Sequence, residues 1–202
     1  MITNIFDELD ADGDTLARLH RRLVGDADSA ELLDVAYRTI DTPVGTLLLA
    51  ATAVGLVRVA FDVEGHDAAL SALAERVSPR VLSAPGRLDD AAHQIDEYFA
   101  NRRTAFELTV DLRLTGGFRR TVIEHLQKIA YGRRESYATV AAAIGHPKAV
   151  RAVGTACARN PLPVVIPCHR VVRSDGATGQ YVGGPLAKSA LLALEAARTG
   201  NE

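Results

Sequence analysis

The sequence predicts an α/β protein, with an N-terminal antiparallel sheet and helices followed by a mostly helical C-terminal domain that carries a helix-turn-helix. Three observations support this. Residues 35–62 hold three apolar, β-like runs separated by short turn signals. Residues 67–100 and about 117–130 change to helical spacing. After Tyr131-Gly132, two short helical segments flank a tight Gly-Pro turn. At 202 residues, 48% of them hydrophobic and 24% charged, the chain can bury a real core as one domain or two small ones.

Residues 1–34 form an acidic extension that is expected to be partly helical, because Leu16, Leu19 and Leu23 recur at helical spacing after Asp14, a good N-cap residue. The stretch Asp10-Ala11-Asp12-Gly13-Asp14 has the look of a calcium loop. It fails as one, since the glycine is out of place and Arg21 stands where the twelfth-position Glu belongs.

Residues 35–112 form the first domain. VAYRTID (35–41) is separated from TLLLAATA (46–53) by the turn signal Thr42-Pro43-Val44-Gly45, and LVRVAFD (56–62) follows Gly55, which suggests an antiparallel meander. Residues 67–77 and 88–100 read as amphipathic helices, and FELTVDL (106–112) reads as a further strand. Residues 113–202 form the second domain. Phe118, Val122, Leu126 and Ile129 share one face of a helix. Ser136 caps YATVAAAIG, which ends at Gly145; His146-Pro147 makes the turn; and a second helix spans about 148–158, beginning with Lys148.

Net charge is −2, but its distribution is uneven. Residues 1–112 carry 20 acidic and 10 basic side chains, whereas residues 113–173 carry only Glu124 and Glu135 against 11 Lys and Arg. Such asymmetry is the footprint of a polyanionic partner, although a basic face packed near an acidic neighbour would look the same. The N-terminus lacks the basic start and apolar run of a signal peptide, and no apolar run reaches spanning length, so a cytoplasmic protein with no membrane partner is expected. Cys157 and Cys168 are the only cysteines, too few for a cysteine-rich zinc site, so cysteine chemistry must rest on a single thiol.

Chemistry concentrates in Asn160-Pro161-Leu162-Pro163-Val164-Val165-Ile166-Pro167-Cys168-His169-Arg170-Val171-Val172. An apolar run delivers a cysteine between a proline, which restrains the backbone, and a histidine, which can serve as base directly or through a water. A nearby imidazole and positive charge are expected to lower the thiol pKa. A cysteine in an apolar run is commonly inert core, but the His-Arg that follows is an odd choice for a core. Downstream, Gly176, Gly179, Gly183, Gly184 and Pro185 make a loop in which a ligand can approach the main chain closely.

PCHRVV preceded by NPLPVVI, with RAVG upstream and Tyr-x-Gly-Gly downstream, resembles the O6-alkylguanine-DNA alkyltransferases, also called methylated-DNA–protein-cysteine methyltransferases. The resemblance is strong over about 106–197 and weaker over 35–105. It implies a ribonuclease H-like N-terminal domain and direct-reversal DNA repair, an irreversible, single-turnover transfer of the alkyl group from O6-alkylguanine to Cys168 after base flipping, with the helix-turn-helix in the minor groove. By the same resemblance His169 is the base, Glu195 in LLALEAA orients it, and Asn160 ties the helix-turn-helix to the active-site strand. Tyr137 touches guanine and the adjoining phosphate, and Arg151 fills the stack left by the flipped nucleotide. The small residues Ala152, Gly154 and Thr155 suit close approach to the groove, and Val171, Tyr181, Val182 and Gly183 border the base. The implied partner is double-stranded DNA containing O6-alkylguanine, met by a monomer with clustering on DNA left open, and neither cofactor nor metal is implied.

The chain departs from the family pattern in places. Ile123 stands where relatives often carry Trp, Val182 where many carry Ser, and residues 1–34 have no counterpart. Two other readings stay open at this point: a non-catalytic alkyl-lesion DNA-binding protein and an alkylation-responsive regulator.

Overall fold

The computed structural model describes residues 13–199; the first twelve residues, including most of the calcium-like stretch, lie outside that range. Helix α1 (Gly13–Ser29) forms as the leucine spacing predicts, with Asp14 in its first turn. Leu16, Leu19 and Leu23 nevertheless lie more than half exposed, so the leucine stripe is not a core face; the helix is held by Val24 and Ala27 against the core and by the His20 ring, whose Nε2 lies 2.7 Å from the Ser83 carbonyl oxygen.

Strands β1 (Val35–Ile40), β2 (Leu47–Ala51) and β3 (Leu56–Phe61) make the expected antiparallel meander. Helix α2 (His66–Arg76) follows, and then strand β4 (Val81–Ser83), which pairs parallel to β1 and gives the order β3-β2-β1-β4. The sheet is therefore mixed, with one short parallel edge that the sequence reading did not assign. Both faces are covered, which explains why β2 is apolar throughout. Leu48, Ala50, Val57 and Ala60 pack with Ala69 and Leu73 of α2, while Leu47, Leu49, Val59 and Phe61 face the main core.

Helix α3 (Asp89–Phe99) buries Ile95 and Tyr98 in that main core. The expected strand at 106–112 does not form. Only a single bridge joins Leu56 to Val110, through Leu56 N–H to the Thr109 carbonyl and Asp111 N–H to the Leu56 carbonyl. Upstream, the Gln94 side chain accepts the Glu107 N–H at 2.8 Å, taking a donor that a strand ladder would need.

The C-terminal part begins with α4 (Gly117–Leu126), which buries Val122, Ile123 and Leu126. A two-residue strand, β5 (Glu135–Ser136), leads into α5 (Tyr137–Ala143), whose N-cap is Ser136: its side chain accepts the Thr139 N–H at 3.0 Å. Gly145 supplies a φ of +78° at the turn. Helix α6 (Val150–Ala158) starts two residues later than expected, leaving Lys148 in the turn. It buries Val153, Ala156 and Cys157 while exposing Arg151, Ala152 and Thr155. Strand β6 (Val171–Val172) pairs parallel with β5, so the strand leaving Cys168 is tied to the entry of the helix-turn-helix. Helix α7 (Gly184–Thr199) closes the chain, with Leu191 in the core that both halves share. No helix among the described residues is long and apolar enough to cross a membrane.

Candidate active site

The segment between α6 and β6 carries the site. Asn160 follows the helix, and its backbone N–H still bonds the Cys157 carbonyl at 3.2 Å. Its side chain faces the next turn: Oδ1 accepts the Leu162 N–H at 3.0 Å, and Nδ2 donates to the Ile166 carbonyl at 2.8 Å and to Cys168 Sγ at 3.1 Å. The turn between is tight. Ile166 N–H reaches back to the Leu162 carbonyl at 2.8 Å, and Val164 adopts φ +72°, a conformation unfavourable for a β-branched residue that costs about 1–3 kcal/mol. One fully buried amide thus fixes both the strained turn and the position of the sulfur.

Cys168 and His169 lie in a single turn of 3-10 helix, Cys168–Arg170, entered through Pro167. The Cys168 side chain is only 2% exposed. Burial pushes its thiol up to about 11, against the opposing pull of the Asn160 amide and the Lys188 ammonium. The expectation of a lowered thiol pKa is therefore reversed in the resting protein, where desolvation outweighs nearby positive charge. Cys157 is raised further by burial and lies in the packed face of α6, as an inert thiol would.

The His169 ring is fully buried, and its Nε2 lies 2.9 Å from Glu195 Oε1. Burial lowers its pKa, with the carboxylate opposing. Nδ1 is buried and has no hydrogen-bond partner among the described residues. Glu195, brought in by α7, is a hub. Oε1 also accepts the Tyr98 hydroxyl at 2.8 Å, Oε2 accepts the Gly132 N–H at 3.1 Å, and Arg170 Nε and Nη2 engage the carboxylate at 2.8–3.1 Å. Burial alone would raise the Glu195 pKa, but the bonds from His169 and Arg170 prevail and hold it near 2. A buried carboxylate so supplied with donors stays ionised and can balance a charge that develops on the imidazole.

Around this centre the structure gathers most of the other residues the sequence singled out. Tyr137 opens α5 beside Gly154 of α6, Gly179 of the glycine loop and the Lys188 ammonium, which sits 5.9 Å above its ring. Tyr181 packs edge-on against Phe61 at 5.6 Å and His169 at 6.3 Å between centroids. Val182 is half-buried, and Gly183 lies directly on the Phe61 ring. Val171 is buried, its carbonyl accepting a 2.6 Å bond from Lys188 Nζ. Arg151, Ala152 and Thr155 are not near the thiol turn by any hydrogen bond; they form the outer face of α6.

Three members of the cluster escaped the sequence reading. Lys188 is fully buried, and it stands seven residues before Glu195 with Leu191 between them, one stripe of α7. A lysine at that spacing in an otherwise apolar face was a legible signal. Arg170 lay in the quoted motif without a role. Tyr98 had no signal, because nothing local links it to α7.

Two sequence profiles match the chain: the ribonuclease-like domain of 6-O-methylguanine DNA methyltransferase over residues 35–112, and its DNA binding domain over residues 117–197. A methylated-DNA–protein-cysteine methyltransferase of Mycolicibacterium paratuberculosis is 38% identical over 161 residues, covering 80% of this chain and 92% of the relative. A constitutive methylated-DNA–protein-cysteine methyltransferase of Bacillus subtilis is 38% identical, covering 73% of this chain and 86% of the relative. Among solved structures, Mycobacterium tuberculosis OGT in complex with DNA is similar at 37% identity and a TM-score of 0.70, covering 81% of this chain and 94% of that one.

Proposed function

The chain belongs to the 6-O-methylguanine DNA methyltransferase family, and from that premise we propose that it repairs DNA by moving the alkyl group of O6-alkylguanine onto its own Cys168. The observation that carries this reading is the convergence on one turn of a sulfur held at 3.1 Å by Asn160 and an imidazole held at 2.9 Å by an ionised Glu195.

The chemistry follows from the charges. The resting thiol is neutral, so attack needs a base. His169 binds Glu195 through Nε2, which leaves Nδ1 to take the Cys168 proton, directly or through a water. Glu195 then stabilises the imidazolium, and Arg170 and Tyr98 keep the carboxylate in place. Sγ forms a bond to the alkyl carbon as the carbon–O6 bond breaks. The electron pair stays on guanine, which regains the proton that Cys168 gave up. The product is a thioether, and no group in the cluster reverses it, so each molecule reacts once.

Double-stranded DNA carrying the lesion is the proposed partner. The O6-alkyl carbon is unreachable inside a stacked duplex, so the base must be extruded. The outward face of α6 supplies small residues for groove contact and Arg151 for the vacated stack. The protein is proposed to act as a monomer, in two structural units spanning 35–112 and 113–202, with residues 1–34 an appendage.

Intact mass spectrometry after incubation with an O6-methylguanine duplex tests the reading. The expected result is one methyl per protein, on the peptide containing Cys168. Cys168→Ala should gain nothing and still bind DNA. A methyl on Cys157, or binding without any mass gain, would reject the assignment.

A further inference from the structure

A second feature adjoins the turn that follows α6, with Asn160 and Pro161 in its lining. A cleft of about 600 Å³ runs between α2, the end of α6 and the start of α4. Its floor is apolar, formed by Ala69, Leu73, Leu114 and Pro161, while Arg58, Arg76, Arg119 and Arg159 line it with Glu64 as the sole acid. Glu64 is taken by Arg58, and both are largely buried. Among the described residues Arg76, Arg119 and Arg159 form no ion pair, and the polar contact of Arg76 is to a neutral carbonyl, that of Leu114, at 3.3 Å. Arg38, Arg80, Arg87 and Arg103 of the acidic half, by contrast, pair with carboxylates.

Guanidinium groups converging on one concavity repel one another, and an anion relieves that repulsion. The planar guanidinium fork matches phosphate oxygens, and the cleft is far larger than one phosphate group. Its apolar floor suits the sugar and base faces of a strand. Arg159 stands at the C-terminal end of α6 and lines the cleft, so the cleft adjoins the helix whose outer face carries Arg151.

We propose that this cleft binds the phosphodiester backbone of DNA beyond the segment seated on α6, so that the acidic N-terminal half contributes Arg76 to the nucleic-acid contact. The proposal rests on the DNA-repair reading above. A free nucleotide would satisfy the same chemistry, so the test separates the two sources.

The test compares the full chain with Arg76→Gln/Arg159→Gln. Both side chains are exposed, and thermal melting checks that the fold is kept. Binding of a fluorescent duplex is measured across salt. Loss of two phosphate contacts should flatten the slope of log K against log salt by about 1.8. Methyl transfer from the free O6-methylguanine base, which needs no backbone contact, should be unchanged. An unaltered salt slope overturns the proposal. So does pyrophosphate or a nucleoside monophosphate that binds the parent and not the double variant while the duplex slope stays the same, for the site would then serve a small ligand. If the parent transfers no methyl to Cys168, the repair reading fails on its own, and the salt slope still judges the cleft.

Discussion

The Tyr98 hydroxyl donates a 2.8 Å hydrogen bond to Glu195 Oε1 although the two residues are 97 positions apart, which joins α3 of the first half to the carboxylate that holds His169. Tyr98 is fully buried, with its ring against Phe99, Phe106 and Tyr131. Tyr98→Phe keeps that packing and removes one donor. Glu195 then becomes more basic and raises the His169 pKa, so the rising limb of the pH profile for single-turnover transfer should move to higher pH. Stability should fall by about 1–2 kcal/mol. A profile that stays in place, with only the stability loss, would make Tyr98 a packing residue.

Glu195→Gln should slow transfer by about 10²-fold or more, since a neutral amide cannot balance the imidazolium. Duplex affinity should change little, because Glu195 is buried away from the outer face of α6. Single-turnover rates alongside binding curves give the comparison, and equal losses in both would point to a folding defect.

Acid should destabilise the protein in a defined window. Glu195 is held near 2 against an ordinary 4.5, so its contribution is fully present above pH 4.5 and disappears as pH falls towards 2. The difference amounts to something on the order of 3 kcal/mol. His169 acts in the same direction, since its pKa is lowered by burial: its contribution is present above its ordinary 6.5 and declines as pH drops below that. Denaturant melts at a series of pH values should show a steady loss below neutrality, and Glu195→Gln should flatten the part below 4.5.

Arg151 is exposed near the start of α6, with no ion pair among the described residues. As a wedge in the base stack, its loss in Arg151→Ala should slow transfer from duplex DNA far more than from single strands, where no partner strand is left behind. Arg151→Lys should be nearly as poor, because an ammonium does not stack as a plane. Equal losses on both substrates, rescued by Lys, would reduce Arg151 to a phosphate contact.

Gly183 presses on the sheet. A Cβ there would lie 2.7 Å from Phe61 Cε1 and Cζ, and Phe61 is itself 1% exposed. Gly183→Ala must lift the loop or displace the ring, at a cost of about 1–3 kcal/mol, and should slow transfer by moving Tyr181, which leans on the same ring. Gly86→Ala, with no heavy atom within 4 Å of the added carbon, is the control and should leave the melting temperature and the rate close to those of the parent.

Much of this protein is written locally. The helical spacing in α3 and α4, the Ser136 cap, the meander of β1 to β3 and the Pro167-Cys168-His169-Arg170 motif are legible because each depends on neighbours within a turn or a strand. The excess of basic residues over 113–173 is legible for the same reason: it is a property of composition. Tertiary structure decided the rest. The leucine spacing of α1 produced a helix, but whether its stripe is covered depends on what packs there, and it is left exposed. The β-like run at 106–112 found a single bridge, since a strand needs a partner edge and Gln94 claimed part of its backbone. Above all, the Cys168 thiol is neutral at rest and Glu195 is ionised, though both are buried. Burial pushes both towards the neutral form, but the thiol starts from a far higher ordinary pKa, and the hydrogen bonds and charges of His169 and Arg170 outweigh burial at Glu195. Those donors come from distant positions in the chain, and their effect exists only once the fold has brought them together.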